Sequence, residues 1–237
     1  APQLNFNTFP LGDASGPLLA EGCAYKSLDT PSDIPLFGAY LPHVSEGLTQ
    51  AARNEFLCLS GQSAGHDVMT GHTAIIHGIG VTARDVALMA QRGTGLVWSP
   101  RSNESLYGDT AQVSLYQSLG VSIALGTDWL QSGSMNMLRE LQCADYLNQV
   151  QLSYSFTDAQ LWRMATAAAV ISRSGEVMPV ASSWVTASAS STGRRDHPAP
   201  GAVVTAGCWS RPGRARRLPP RPRAAPSSAP AAWASPA

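Results

Sequence analysis

Three short segments carry side chains that could act together on one bond. In Pro42-His43-Val44-Ser45-Glu46 a histidine is followed, three residues on, by a carboxylate. In Ile75-Ile76-His77-Gly78 a second histidine ends an apolar run. In Leu125-Gly126-Thr127-Asp128 an aspartate ends another. His43, His77 and Asp128 offer the nitrogen and oxygen donors that zinc or a related divalent ion accepts. A carboxylate such as Glu46, beside a water held by that ion, could shuttle its proton. Ser102 and Asn103, in Ser99-Pro100-Arg101-Ser102-Asn103, follow a further apolar run and would share the same rim. Each residue also has an ordinary reading as a satisfied strand-end polar group, a helix cap or a first-turn acid. Their recurrence at successive strand ends favours chemistry. A separate motif, Gly61-Gln62-Ser63-Ala64-Gly65, fits the G-x-S-x-G of a nucleophile elbow with Ser63 as nucleophile. That elbow needs a strand before it and a helix after it. The preceding segment reads as the end of a helix, so Ser60–Gly71 is better taken as a loop. His66, Asp67 and His72 are then its solvated polar groups.

The elements that must position these residues alternate in type. Phe37–Val44 reads as a buried strand, with a weaker strand before it at Leu4–Phe9. Ser45–Leu59 reads as a helix. Thr73–Val81 is a strand, and Thr82 caps a helix over Ala83–Arg92 that Gly93 ends. Gly95–Ser99 is a strand closed by Pro100, and Ala111–Leu119 a helix. Val121–Gly126 is a strand, and Ser134–Gln149 a long helix. Thr157 and Asp158 open a last helix that runs to about Ile171. Continuous apolar strands separated by helices predict a parallel sheet, whose ligands gather at the carboxyl ends of the strands.

Composition divides the chain. It has 237 residues, 44% hydrophobic and 14% charged, with no net charge. Residues 1–190 carry 15 Asp and Glu against 8 Lys and Arg, whereas residues 191–237 carry one acid and eight arginines. The first part is a mildly acidic globular sequence without a nucleic-acid signature. No run of about 18 apolar residues predicts a membrane span. No secretory leader is recognisable, and the start at Ala1 reads as internal to a longer protein. The cysteines (Cys23, Cys58, Cys143, Cys208) form no CxxC pair. They read as free thiols of a reducing, cytoplasmic compartment. Residues 1–176 are expected to form the folded domain. Residues 177–237, rich in Ala, Pro, Arg and Ser, read as a disordered tail or as sequence out of frame.

The block from Ile75 to Gly108 and that from Leu115 to Leu147 closely resemble the amidohydrolase superfamily, in its chlorohydrolase and aminohydrolase branch with the cytosine and guanine deaminases. PHVSEG matches that branch's fifth-strand His-x-x-Glu, IIHG its sixth-strand His, SPRSN the segment after strand seven, and LGTD the eighth-strand Asp. The resemblance covers about residues 36–170. It implies a partial (β/α)8 TIM barrel, roughly strands four to eight, in a C-terminal fragment. It implies His43, His77 and Asp128 as metal ligands and Glu46, His77 and Asp128 as catalytic groups. Asp128 would be the base for the metal-held water, Glu46 the acid for the ring nitrogen or leaving group, and His77 a ligand or an orienting group. Ser102, Asn103 and Trp129 would bind substrate. The ion would be zinc, with iron or manganese as alternatives. The reaction would be hydrolysis of a non-peptide C–N bond in a small molecule, such as deamination of a ring amidine or guanidine. The family's His-x-His pair is absent from this sequence, and nothing after Glu176 matches its Gly-x-x-Ala-Asp return. The fragment is therefore expected to be inactive alone. The other readings are a non-catalytic binding or dimerising module, with exposed strand edges favouring a homo-oligomer, and a serine hydrolase using Ser63. No nucleic-acid or membrane partner is expected.

Overall fold

The computed structural model describes residues 3–7, 17–26, 28–166 and 208. Among these residues five strands form one sheet: β1 (Gln3–Asn7), β2 (Phe37–Val44), β3 (Ala74–His77), β4 (Gly95–Trp98) and β5 (Ile123–Leu125). Every neighbouring pair is parallel, and the spatial order is the chain order. Among the described residues six α-helices connect and follow the strands: α1 (Gln50–Leu59), α2 (Ala83–Arg92), α3 (Pro100–Tyr107), α4 (Val113–Ser118), α5 (Met137–Val150) and α6 (Asp158–Thr166). None of the described helices is long and apolar enough to cross a membrane.

Strands β2 to β5 are largely apolar, and their alternation sorts side chains to two faces. Tyr40, Ile75, Leu96, Trp98, Ile123 and Leu125 join the large core, with Phe56, Met89, Tyr116, Leu147 and Leu161 supplied by the helices. Leu41, Ala74 and Val97 form a separate small cluster with Ile76. His43, two residues beyond Leu41 on β2, belongs by strand alternation to that second face.

Several expected bounds hold and several move. β2 and α2 span the residues expected of them. Gly93 closes α2 at φ 72°, and Thr82 opens it by donating from its N–H and hydroxyl to Asp85 Oδ2 (2.9 and 2.7 Å). β3 stops at His77 rather than at Val81, because His77 (φ 72°) and Gly78 (φ 54°) both turn left-handed. A Cβ at Gly78 would also stand 2.6 Å from the Tyr116 hydroxyl, which donates to the Gly78 carbonyl. α1 begins at Gln50 rather than Ser45, since Ser45 (φ 55°) and Gly47 (φ 136°) cannot continue a right-handed helix. Thr49 then caps α1 through the Ala52 N–H. α5 begins at Met137 rather than Ser134, behind Asn136, whose side chain accepts from the Arg139 N–H at 3.0 Å.

Two corrections are larger. Pro100 does not merely end a strand. It is the first residue of α3, which closes at Gly108 with φ 65°. The cysteines are not free thiols: Cys23 pairs with Cys58, and Cys143 with Cys208. The expected cytoplasmic compartment thus loses the support that free thiols lent it. The nucleophile elbow does not form, because Gly61–Gly65 follows helix α1 through turns and bends rather than a strand. The expected domain limit at residue 176, the tail 177–237 and the extension of α6 to Ile171 lie outside the described residues.

Candidate metal centre

The site grows from the carboxyl ends of three strands. β2 ends with His43 and Val44, and the left-handed turn at Ser45 reverses the chain so that Glu46 follows. That turn is braced from α1: buried Glu55 Oε2 accepts from the Ser45 N–H at 2.8 Å, and the Ser45 hydroxyl donates to the Ala52 carbonyl. His77 is the last residue of β3 and fully buried. Asp128 follows β5 and is also left-handed, at φ 53°.

These turns bring the expected ligands together. One donor atom from each of His43, His77 and Asp128 lies within 4.8 Å of the other two. The two imidazole rings stand 5.2 Å apart between centroids. His77 Nε2 is 3.7 Å from Glu46 Oε1 and 3.9 Å from Asp128 Oδ2, too far for a hydrogen bond to either. This buried nitrogen has no hydrogen-bond partner. Leaving such an atom unmatched costs about 1–3 kcal/mol, and a cation between the three donors would satisfy it. Two imidazoles and a carboxylate converging at this spacing are a donor set that fits a divalent metal ion.

The first turn of α3 stands behind the donors. Asn103 Oδ1 lies 2.9 Å from His77 Nδ1. A carbonyl oxygen only accepts, so Nδ1 carries the proton and Nε2 presents its lone pair to the cluster. Asn103 Nδ2 in turn donates to Thr110 Oγ1 (3.3 Å), which also accepts from Trp98 Nε1 (2.7 Å). Ser102 donates to Asp128 Oδ2 and pairs with the Ser132 hydroxyl at 2.9 Å. Ser102 and Asn103, expected at the substrate, are therefore fully buried against Asp128 and His77. Trp129 is half-buried.

Sequence reasoning did not find the partner of Glu46. The Tyr107 hydroxyl donates to Glu46 Oε1 at 2.8 Å. The signal was available: Pro at the start and Gly past the end mark α3 as a helix. On a helix, Asn103 and Tyr107 share a face at i, i+4 spacing. Trp98 is fully buried in the core, its ring 6.5 Å from Phe156 between centroids.

No family model matches the chain. Curated proteins do. It is 33% identical over 105 residues to 5-methylthioadenosine/S-adenosylhomocysteine deaminase of Thermococcus kodakarensis, a match covering 43% of this chain and 24% of that protein. It is 36% identical over 73 residues to aminodeoxyfutalosine deaminase of Deinococcus radiodurans, covering 31% and 18%. Among solved structures, guanine deaminase of E. coli aligns with a TM-score of 0.48 at 17% identity, over 58% of this chain and 33% of that one. The matched segments are similar to these two deaminases, in keeping with the likeness to the amidohydrolase superfamily. They span about a quarter or less of the length of these curated relatives.

Proposed function

We propose that this chain carries the second half of the active site of a metal-dependent hydrolase that removes an amino group from a ring carbon of a small molecule. In this reading the chain is a partial (β/α)8 barrel, its five parallel strands standing for strands four to eight. The observation that carries it is the buried Nε2 of His77, which has no hydrogen-bond partner and lies 3.9 Å from Asp128 Oδ2, in a cluster where His43, His77 and Asp128 offer donor atoms within 4.8 Å of one another.

His43, His77 and Asp128 would hold the ion, zinc above iron or manganese. A divalent ion of this kind, when bound, makes water a competent nucleophile near neutral pH. The chain's own residues would do the rest. Asp128 is held by Ser102 at Oδ2, so its other oxygen would take the proton of the attacking water. Glu46, held at Oε1 by Tyr107, would deliver a proton to the ring nitrogen or to the departing amine. Water supplies oxygen to the carbon, the C–N bond breaks, and ammonia leaves. His77, fixed by Asn103 at Nδ1, would keep Nε2 aimed at the ion throughout. The substrate would be an amino-bearing heterocycle, the class named for the curated deaminases above.

A second reading rests on the absence of a His-x-His pair in this sequence. Two donors that the resemblance implies are then missing, so the chain alone would hold metal weakly and turn over little or nothing. It would act as a binding or dimerising module or need the rest of its barrel. Metal content by mass spectrometry, on wild type beside His43→Ala and Asp128→Ala, separates the two. Near-stoichiometric zinc that both substitutions remove supports the half-site. Ammonia release from 5-methylthioadenosine or guanine would then test the chemistry. Background metal in all three proteins overturns metal binding by this chain alone.

A further inference from the structure

One buried acid takes no part in the chemistry above. Glu140, in the first turn of α5, is fully buried, and its Oε1 accepts from the Arg101 backbone N–H at 3.0 Å. Its Oε2 has no hydrogen-bond partner. A carboxylate is costly to bury, and the Ser134 hydroxyl, the Arg101 backbone contact and the Arg101 charge together offset only part of that cost. Its placement therefore calls for a reason.

Arg101 is the second residue of α3, where backbone N–H groups have no partner within the helix. The next two residues are Ser102 and Asn103. Ser102 donates to Asp128, and Asn103 holds His77 Nδ1. Whatever fixes the Arg101 N–H fixes the turn that orients both donors. Nothing within α3 can do this, because Ser99 supplies no side-chain cap. A glutamate reaching across from α5 takes the place of the missing cap.

We infer that Glu140 is a positioning residue for the metal centre: by capping α3 at Arg101 it sets the angles at which Asn103 and Ser102 hold His77 and Asp128. The inference rests on the metal-site reading for its functional meaning but not for its geometry. Burial, with help from the Asp128 charge, lifts the Glu140 carboxyl to about 7, against opposition from the Ser134 hydroxyl first and from Arg101 second. A protonated Oε2 leaves the Oε1 contact intact, so the cap needs the acceptor and not the charge.

That distinction supplies the test. Glu140→Gln keeps an oxygen acceptor, and Glu140→Ala removes it. Both are made in the full chain and compared by far-UV circular dichroism, by zinc affinity against a chromophoric chelator, and by long-range proton–nitrogen spectra of the metal-free imidazoles. Loss of a signal in His77→Gln assigns His77. Glu140→Ala is expected to shift the His77 nitrogens and weaken zinc about tenfold, as losses of outer-shell partners do. Glu140→Gln is expected to keep the His77 nitrogens in place and zinc within about twofold. If Glu140→Ala loses its helical signal, Glu140→Asp, one methylene short of Arg101, takes its place in the comparison. Unmoved His77 nitrogens in the variant lacking the acceptor overturn the inference, as does a Glu140→Gln protein perturbed as much as Glu140→Ala. Wild type without zinc affinity overturns the metal reading instead, and the His77 spectra still decide the role of Glu140.

Discussion

Asn103 turns its amide oxygen to His77 Nδ1 at 2.9 Å and its amide nitrogen to Thr110, so the far nitrogen of His77 faces the cluster as a lone pair. Replacing Asn103 with Leu removes the acceptor and strands a buried ring N–H. We expect a stability loss of about 1–3 kcal/mol and zinc weakened by roughly ten- to a hundredfold. Urea unfolding and chelator competition read the two effects separately. Unchanged zinc affinity would mean that Asn103 does not set the ring.

Zinc should stabilise the chain if the half-site binds it. At a free concentration a hundred times the dissociation constant, the gain is about 2.7 kcal/mol. A thermal melt with and without zinc, reversed by a chelator, should show it in wild type and not in His43→Ala. Equal gains in both proteins would move the ion elsewhere.

Tyr107→Phe deletes only the hydroxyl that donates to Glu46. A partly buried hydrogen bond to a carboxylate is worth about 1–2 kcal/mol. The loss should vanish when Glu46 is already Gln or Ala, so a double-mutant cycle on urea midpoints checks the pair. Additive losses would show that the two side chains do not interact.

Glu140 should make the chain less stable as pH rises. Its folded value of about 7 lies above the ordinary 4.5, so the native state holds the proton more tightly than the unfolded chain does. The benefit is complete below about 4.5 and is lost as pH climbs through 7, by about 3 kcal/mol in all. Asp85 acts in the opposite sense. Burial raises its carboxyl, but donation from Arg53, Thr82 and Gln62 outweighs this and holds it low. Its contribution is present at neutral pH and is lost as pH falls through that depressed value. Subtracting the Glu140→Gln curve from wild type cancels Asp85. A flat difference between pH 4.5 and 7 would contradict the assignment.

The disulfide between Cys23 and Cys58 closes a separation of 35 residues. On loop-entropy grounds it contributes about 3–4 kcal/mol. The paired Cys23→Ala, Cys58→Ala variant should unfold at correspondingly lower urea. Two iodoacetamide-reactive thiols at these positions in the native, unreduced protein would exclude the bond.

Much of the fold was legible because it is written locally. Phe37–Val44 is a short, mostly apolar and partly aromatic run, and Thr82, Asp85 and Gly93 mark both ends of α2 by side-chain chemistry and backbone freedom. The meeting of His43, His77 and Asp128 was legible because strand ends in parallel sheets converge. α3 escaped because Pro100 was taken as a stop when it was a start. The contacts behind the cluster escaped for a different reason. Tyr107 meets Glu46 across 61 residues and Glu140 meets Arg101 across 39, and no periodicity in the chain encodes such meetings. The cysteine pairs are of the same kind, since their spacing carries no motif.

The left-handed backbone at His77 and Asp128 has a consequence for how this site could be found without any assay of chemistry. Side chains at φ 72° and 53° hold a conformation that most residues avoid. A library of all substitutions, selected only for folded and abundant protein, should reject Ile, Val and Thr there most strongly. Asn, which tolerates this conformation and keeps a polar head, should be the best accepted replacement, whereas Gly frees the backbone but leaves the Asn103 amide or the Ser102 hydroxyl without its partner. Two strand ends that rank replacements by backbone handedness before side-chain volume would trace the outline of the centre.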